Sequence, residues 1–108
     1  MRILKFSVDG QIIDKNEMCD FSNVVRGTSG YLRAEFSFSP EWNGCVKVAG
    51  FYSIYGEEFK PQVLDANNGC LIPAEALKRE SFVIRVFGKK KDYVITTNRF
   101  IIKQSGGR

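Results

Sequence analysis

The chain has 108 residues, 44% of them hydrophobic, and a net charge of +4, a composition typical of one folded domain with its own core and not of a disordered chain. It contains no histidine, which excludes catalytic triads and the usual general acid–base catalysis. Its apolar runs are too short for a membrane-spanning helix, and its first ten residues are too polar for a signal peptide.

The first predicted element is a β-hairpin. Residues 2–8 alternate between apolar and polar side chains, which is the pattern of a strand with one buried face. Asp9 and Gly10 follow as a strong two-residue turn signal, and residues 11–13 form a short return arm. The first strand is therefore predicted to pair early with its neighbour in sequence.

An irregular segment comes next. Residues 14–30 are polar and rich in turn-forming types. We expect Phe21, Val24 and Val25 to anchor this segment to the core.

Two alternating patterns flank the only tryptophan of the chain. Residues 32–38 predict a half-exposed strand, and residues 45–51 predict a more central one because both faces are apolar apart from one lysine. Asn43 and Gly44 favour a tight reversal between the two strands. Trp42 stands at this junction, where we expect its indole to fill the core.

Shorter elements complete the domain. We predict a turn near 55–58, an edge strand at 59–63 that contains a proline, a turn at 65–69 and a brief strand at 70–72.

One short helical turn near 74–79 precedes the last strands. Residues 81–87 and 93–103 are rich in β-branched and aromatic residues, with a bulge or crossing point at Asn98. The final residues, 104–108, predict a flexible tail after a single domain at 1–103. Seven to nine short strands without βαβ units predict an all-β sandwich or a small barrel.

The cysteines and carboxylates offer no convincing catalytic or metal-binding set. Cys19, Cys45 and Cys70 are odd in number and widely spaced without a CxxC pair, so we predict reduced thiols, the last two buried. Glu57 and Glu58 would point to opposite faces of an extended segment, which favours a solvated surface. We therefore predict no enzyme activity, no cofactor and no metal site.

Four aromatic residues are candidates for a protein-binding patch: Tyr31, Tyr52, Tyr55 and Phe87. Aromatic side chains are enriched where proteins bind one another. The alternative interpretation is that they lie at the rims of a small sandwich, and the sequence does not separate the two.

A basic patch is the second candidate surface. Residues 1–54 carry six basic and six acidic side chains, whereas residues 55–108 carry ten and six, so the whole positive excess lies in the second half. Lys89, Lys90 and Lys91 concentrate part of it. Such a run can attract nucleic acid, but here it lies between two predicted strands, which favours a solvated hairpin loop.

Several motifs together resemble small proteins of tailed phages and prophages of Gram-positive bacteria. They are similar to the immunoglobulin-like modules at the start of phage baseplate, tail-fibre and head-fibre proteins. The resemblance covers about residues 28–103 and rests on 31–38 (YLRAEFSF), 41–44 (EWNG), Phe51, 70–77 (CLIPAEAL), 82–88 (FVIRVFG) and 95–98 (ITTN).

The resemblance implies an immunoglobulin-like antiparallel β-sandwich of seven to nine short strands. It further implies a non-enzymatic virion protein, made in the host bacterial cytoplasm, that decorates the capsid or connects parts of the head, tail or baseplate. Its partners would be other phage structural proteins or further copies of itself, with no membrane. The chain stops soon after the predicted sandwich, unlike the fibre proteins. A small phage-encoded inhibitor of a host enzyme or defence complex is the alternative, and a nucleic-acid binder is the third.

Overall fold

Nine strands form two sheets in the computed structural model, which describes residues 1–106. The strands are β1 (Arg2–Asp9), β2 (Ile12–Lys15), β3 (Leu32–Phe38), β4 (Val46–Tyr52), β5 (Gln62–Val63), β6 (Gly69–Leu71), β7 (Ser81–Lys90), β8 (Tyr93–Thr96) and β9 (Phe100–Lys103). The two sheets pack face to face, which confirms the prediction of an all-β sandwich.

The first sheet has the strand order β2-β1-β3-β6. Strands β1 and β2 form the predicted hairpin, and Gly10 adopts a φ of +58° in its turn. Strands β1 and β3 are parallel over their full common length, from the pair Arg2–Leu32 to the pair Val8–Phe38. This one pair departs from the antiparallel arrangement that the resemblance implies, whereas every other strand pair of the two sheets within residues 1–106 is antiparallel. Seven-residue alternation fixes which face is buried, but it does not fix the direction of the neighbouring strand.

The second sheet is built around β7, the longest strand. β4 lies along one side of β7 with β5 beyond it at the predicted edge, and β8 and β9 lie one after the other along the other side. The chain steps out of the ladder between β8 and β9, where the buried Thr97 hydroxyl accepts a hydrogen bond from the Val86 N–H at 3.0 Å. The predicted interruption next to Asn98 is confirmed.

The segment around Trp42 does not reverse the chain within one sheet. β3 belongs to the first sheet and β4 to the second, so the prediction of a tight hairpin at Asn43 and Gly44 was wrong. A 3-10 turn over Pro40–Trp42 carries the chain from one layer to the other. Gly44 follows with a φ of +80°. The apolar patterns on both sides of the crossing are those of strands, whichever sheet each strand joins.

The predicted helical turn is present as one short 3-10 turn, Ala76–Lys78. Ala76 and Leu77 are fully buried, as expected for a turn too short to be stable without packing.

One core fills the space between the sheets. The Phe6 ring stacks on Phe36 and meets Phe21 and Phe100 edge to face, with ring centroids 5.3–5.6 Å apart. Trp42 is fully buried, as predicted. The largest fully buried side chains are Trp42, Phe6, Phe51, Phe82, Leu4, Ile13, Ile72, Leu77, Ile84, Val8, Val24 and Val83.

The irregular segment and the C-terminal residues differ from the predictions in detail. Of the predicted anchors, Phe21 and Val24 pack on the core, whereas Val25 is 45% exposed. Gln104 and Ser105, expected in the flexible tail, donate backbone hydrogen bonds to the carbonyls of Glu80 and Val24. Ser105 also forms an isolated parallel bridge with Val25, so β-pairing reaches as far as Ser105. Residues 107–108 of the predicted tail lie outside the described residues.

Candidate protein-interaction site

The outer side of the second sheet carries apolar side chains where solvent-facing strand positions are usually polar. Strand register places these residues on one surface: Val46, Val48 and Val63 from β4 and β5, Val83 and Phe87 from β7, and Val94 and Ile101 from β8 and β9. We call this surface the valine face. Val46, Val63 and Val94 are each more than 60% exposed, whereas Val83 is fully buried on this side of β7 and adds no open surface.

Cross-strand pairs join part of the valine face into one row. Val63 lies opposite Val48, and Val48 lies opposite Phe87 on the next strand. Directly opposite side chains on neighbouring strands are within contact distance. Val63, Val48 and Phe87 therefore form one apolar row across the sheet. In the next row Lys89 lies between Val46 and Val94.

A groove opens at one end of the valine face. Its volume is about 330 Å³. We call it the arginine groove, and it is lined by Tyr52, Ile54, Tyr55, Gly56, Arg85 and Arg99. Arg85 stands between Val83 and Phe87 on the outward side of β7, so the groove and the valine face share one surface.

Glycine at position 50 lets two aromatic rings close over the sheet. A Cβ atom on Gly50 would lie 2.6 Å from the Tyr52 hydroxyl and 2.8 Å from Cε2 of Phe87. The absence of a side chain thus allows Tyr52 and Phe87 to cover the β4 backbone. The Arg85 guanidinium lies 5.4 Å from the centroid of the Phe87 ring, within the range of a cation–π contact.

The groove carries positive charge without a carboxylate in its lining. Arg85 donates from Nε to the Thr97 carbonyl at 3.2 Å, and Arg99 donates from Nη2 to the Ile54 carbonyl at 3.5 Å. Within residues 1–106, neither guanidinium forms an ion pair. Their remaining N–H groups are available to an incoming acceptor.

Tyr52 contributes a hydroxyl that stays protonated at neutral pH. Burial, reinforced by the negative charge of Glu58, raises the pKa of Tyr52, while Arg85 opposes the shift. The hydroxyl is therefore a hydrogen-bond donor at the side of the groove.

Three of the four predicted aromatic residues come together here. Tyr52 and Phe87 lie side by side over Gly50, and Tyr55 is 90% exposed on the wall of the groove. Tyr31 is exposed at the start of β3 in the other sheet, where its carbonyl accepts the Arg2 N–H. Tyr31 does not line the arginine groove.

The three predicted lysines do not form one patch. β7 extends through Lys90, so the prediction of a loop over residues 88–92 was wrong and only Lys91 and Asp92 form the turn. Lys89 is exposed on the outward side of β7. Lys90 faces the other way, donates from Nζ to the Asn43 carbonyl at 3.2 Å and lies 4.5 Å from the Tyr93 ring centroid.

Sequence reasoning missed Arg85, Arg99 and Ile54. The alternation in residues 81–87 places Val83, Arg85 and Phe87 on one side of a strand, and this pattern could have identified Arg85 as a neighbour of Phe87. Arg99 could not be assigned from a pattern, because the chain leaves the ladder just before it.

The cysteines offer no functional site. All three are free, and Cys45 and Cys70 are buried as predicted. Burial raises the pKa of the Cys70 thiol to about 12, which keeps it protonated and unreactive. Over residues 1–106, no cluster of three or more His, Cys, Asp or Glu side chains could hold a metal ion.

Neither 3-10 turn in the described part of the chain approaches the length of a membrane-spanning helix. Comparison of the chain with family models, with curated proteins and with solved structures finds no match. The resemblance to phage modules stays a prediction.

Proposed function

We propose that this protein is a non-enzymatic structural component of a phage particle, and that it binds a neighbouring protein of the particle through the valine face. The observation that carries the proposal is the set of exposed valines, Val46, Val63 and Val94, that lie with Val48 and Phe87 on the outer side of the second sheet. Soluble proteins seldom leave a continuous apolar surface open to water unless a partner covers it.

The position of the face also supports a binding role. It lies on strands whose inner sides form the core, so the apolar side chains are presented by a rigid support. A rigid surface loses little conformational entropy when a partner binds, which favours affinity. The resemblance of the sequence to phage modules is the reason for proposing that this contact is made within a phage particle.

The experiment is mass spectrometry of purified particles of the phage or prophage that carries the gene, together with affinity capture from infected cells. The proposal expects the protein in mature particles, at a copy number that follows their symmetry, and expects phage structural proteins in the captured fraction. Absence from mature particles, with capture of a host enzyme instead, would overturn the proposal in favour of an inhibitor.

A further inference from the structure

The arginine groove has a chemistry that the valine face alone does not explain. Arg85, Arg99 and Tyr52 line a space whose other walls are Ile54, Tyr55 and Gly56. Such a set of donors recognises an anionic oxygen acceptor, and guanidinium groups match the two oxygens of a carboxylate in a forked arrangement.

We infer that the arginine groove receives a glutamate or aspartate side chain from an apolar, acidic segment of the protein that covers the valine face. This inference rests on the proposed function and names the chemistry of its partner. Continuity with the valine face is the first argument, since Arg85 lies between Val83 and Phe87 on the same side of β7. A segment lying across the valines would reach the groove without leaving the surface.

Charge complementarity is the second argument. The groove has no acidic lining residue, and both arginines lack an ion pair within residues 1–106. Each arginine is held in place by a backbone carbonyl, Thr97 for Arg85 and Ile54 for Arg99. The positive charge is thus positioned by the fold. Glu58, which lies opposite Tyr52 and whose negative charge acts on its hydroxyl, is a neighbouring carboxylate, but within residues 1–106 it forms no ion pair with either arginine.

The distribution of charge favours a carboxylate on a protein over a nucleic-acid backbone. A phosphate backbone is bound by a row of cations spaced along its length. Here the exposed Lys89 is the one further cation on the outward side of β7, and Phe87 separates it from Arg85. Val48 and Val63 occupy the adjoining strands, and Lys90 points away from this surface. Two arginines in one groove beside apolar side chains are suited to bind an apolar segment that carries one acidic residue.

The test uses two fluorescein-labelled peptides in which valine alternates with glutamate or with glutamine, and it follows fluorescence anisotropy at low and at physiological ionic strength. The inference expects the glutamate peptide to bind about ten-fold more tightly, in line with charge-assisted hydrogen bonds. Equal affinity of the two peptides, or no binding of the glutamate peptide, would overturn it.

Three variants locate the effect. Arg99→Gln removes one charge from an exposed side chain. Arg85→Lys keeps the charge but removes the guanidinium group that can bind both oxygens of a carboxylate. Each variant should reduce the preference for the glutamate peptide several-fold. Lys91→Gln is the matched control, because it removes one charge from the exposed 91–92 turn, and it should leave the preference unchanged. If Lys91→Gln loses as much of the preference for the glutamate peptide as the arginine variants do, the preference depends only on net charge and the inference is overturned.

Other occupants appear as distinct outcomes. If a single-stranded oligonucleotide displaces the glutamate peptide and binds more tightly, the groove is a phosphate site and the inference fails. If the protein alone self-associates in sedimentation and Arg99→Gln abolishes this, a second copy occupies the groove and the inference of a different protein as its occupant fails. Incorporation of Arg99→Gln protein into particles at normal copy number, with the peptides bound equally, would reject the acidic anchor while leaving the proposed function intact.

Discussion

The indole of Trp42 lies directly against the backbone of Gly88, near the C-terminal end of β7. A Cβ atom at position 88 would come within 2.7 Å of Cε3 and Cζ3 of the indole. On the opposite side, Nε1 of Trp42 donates a hydrogen bond to the Gly10 carbonyl at 2.8 Å. The ring thus connects the first hairpin of one sheet to the central strand of the other.

This relationship predicts that Gly88→Ala destabilises the protein. The new methyl group overlaps a ring that is fully buried and cannot move aside freely, and overpacking of this kind costs about 1–3 kcal/mol. Urea unfolding measures the change in the free energy of unfolding. Gly106→Ala is the control, since a Cβ atom there meets no atom within 4 Å. A Gly88→Ala protein as stable as the control would contradict this packing.

Asn98 should hold the β2 edge of the first sheet to the second sheet. Its Oδ1 accepts the Ile13 N–H at 2.8 Å, and its own N–H donates to the Gln11 carbonyl at 2.9 Å. Asn98→Ala removes the side-chain acceptor, so we expect a loss of about 1 kcal/mol.

Hydrogen exchange localises the effect of Asn98→Ala. The Ile13 amide should exchange faster in the variant, whereas Asn67→Ala, a change in the exposed 65–69 turn, should leave it unaffected. Unchanged protection of Ile13 in Asn98→Ala would show that this hydrogen bond does not hold the edge.

Acid should weaken the link between β3 and the turn that precedes β6. Hydrogen bonding to Arg33, together with the backbone N–H groups of Asn67 and Gly69, lowers the pKa of Asp65. Because the folded-state pKa lies below that of the unfolded chain, Asp65 stabilises the fold above about pH 4 and loses this contribution as the pH falls through the folded-state value. The same direction holds for Asp20 and Glu41.

The measurement is the free energy of unfolding as a function of pH. Asp65→Asn should reduce stability near neutral pH and flatten the decline on acidification, while Asp92→Asn in the 91–92 turn serves as the control. An Asp65→Asn curve parallel to that of the unmodified protein would contradict this role of the carboxylate.

The thiols should differ in reactivity. Cys70 is buried and its pKa is raised to about 12, whereas Cys19 is partly exposed. Iodoacetamide at about pH 8 should therefore modify Cys19 well before Cys70, which should react only after unfolding. Peptide mass spectrometry after timed quenching separates the sites. Modification of Cys70 as fast as Cys19 in the folded protein would show that the β6 strand opens readily.

The sequence was informative about the strands and less so about their neighbours. Alternation in residues 2–8 and 32–38 predicted two strands with one buried face each, and both are present. It could not predict that these strands are parallel, because the intervening residues 14–30 carry no pattern that shows how the chain returns. Nor could Asn43 and Gly44 distinguish a hairpin from a crossing, since both need the same backbone freedom.

The candidate site was predicted in part for a similar reason. Tyr52, Tyr55 and Phe87 were predicted as binding residues because they are aromatic, and the structure brings them to one surface. Arg85 and Arg99 join them only because β7 pairs with β4 and because the chain steps out between β8 and β9. Contacts between residues so far apart in sequence depend on the order and pairing of all the strands, which local sequence patterns do not reveal.

The most direct test of the proposed function compares two apolar positions with the same exposure on opposite sheets. Val94 on the valine face and Ile12 on the first sheet are each 63% exposed. Val94→Lys and Ile12→Lys should both fold, and copy number in purified particles is measured by quantitative mass spectrometry. We expect Val94→Lys to be depleted at least several-fold and Ile12→Lys to be retained. Equal incorporation of the two variants would contradict binding through the valine face.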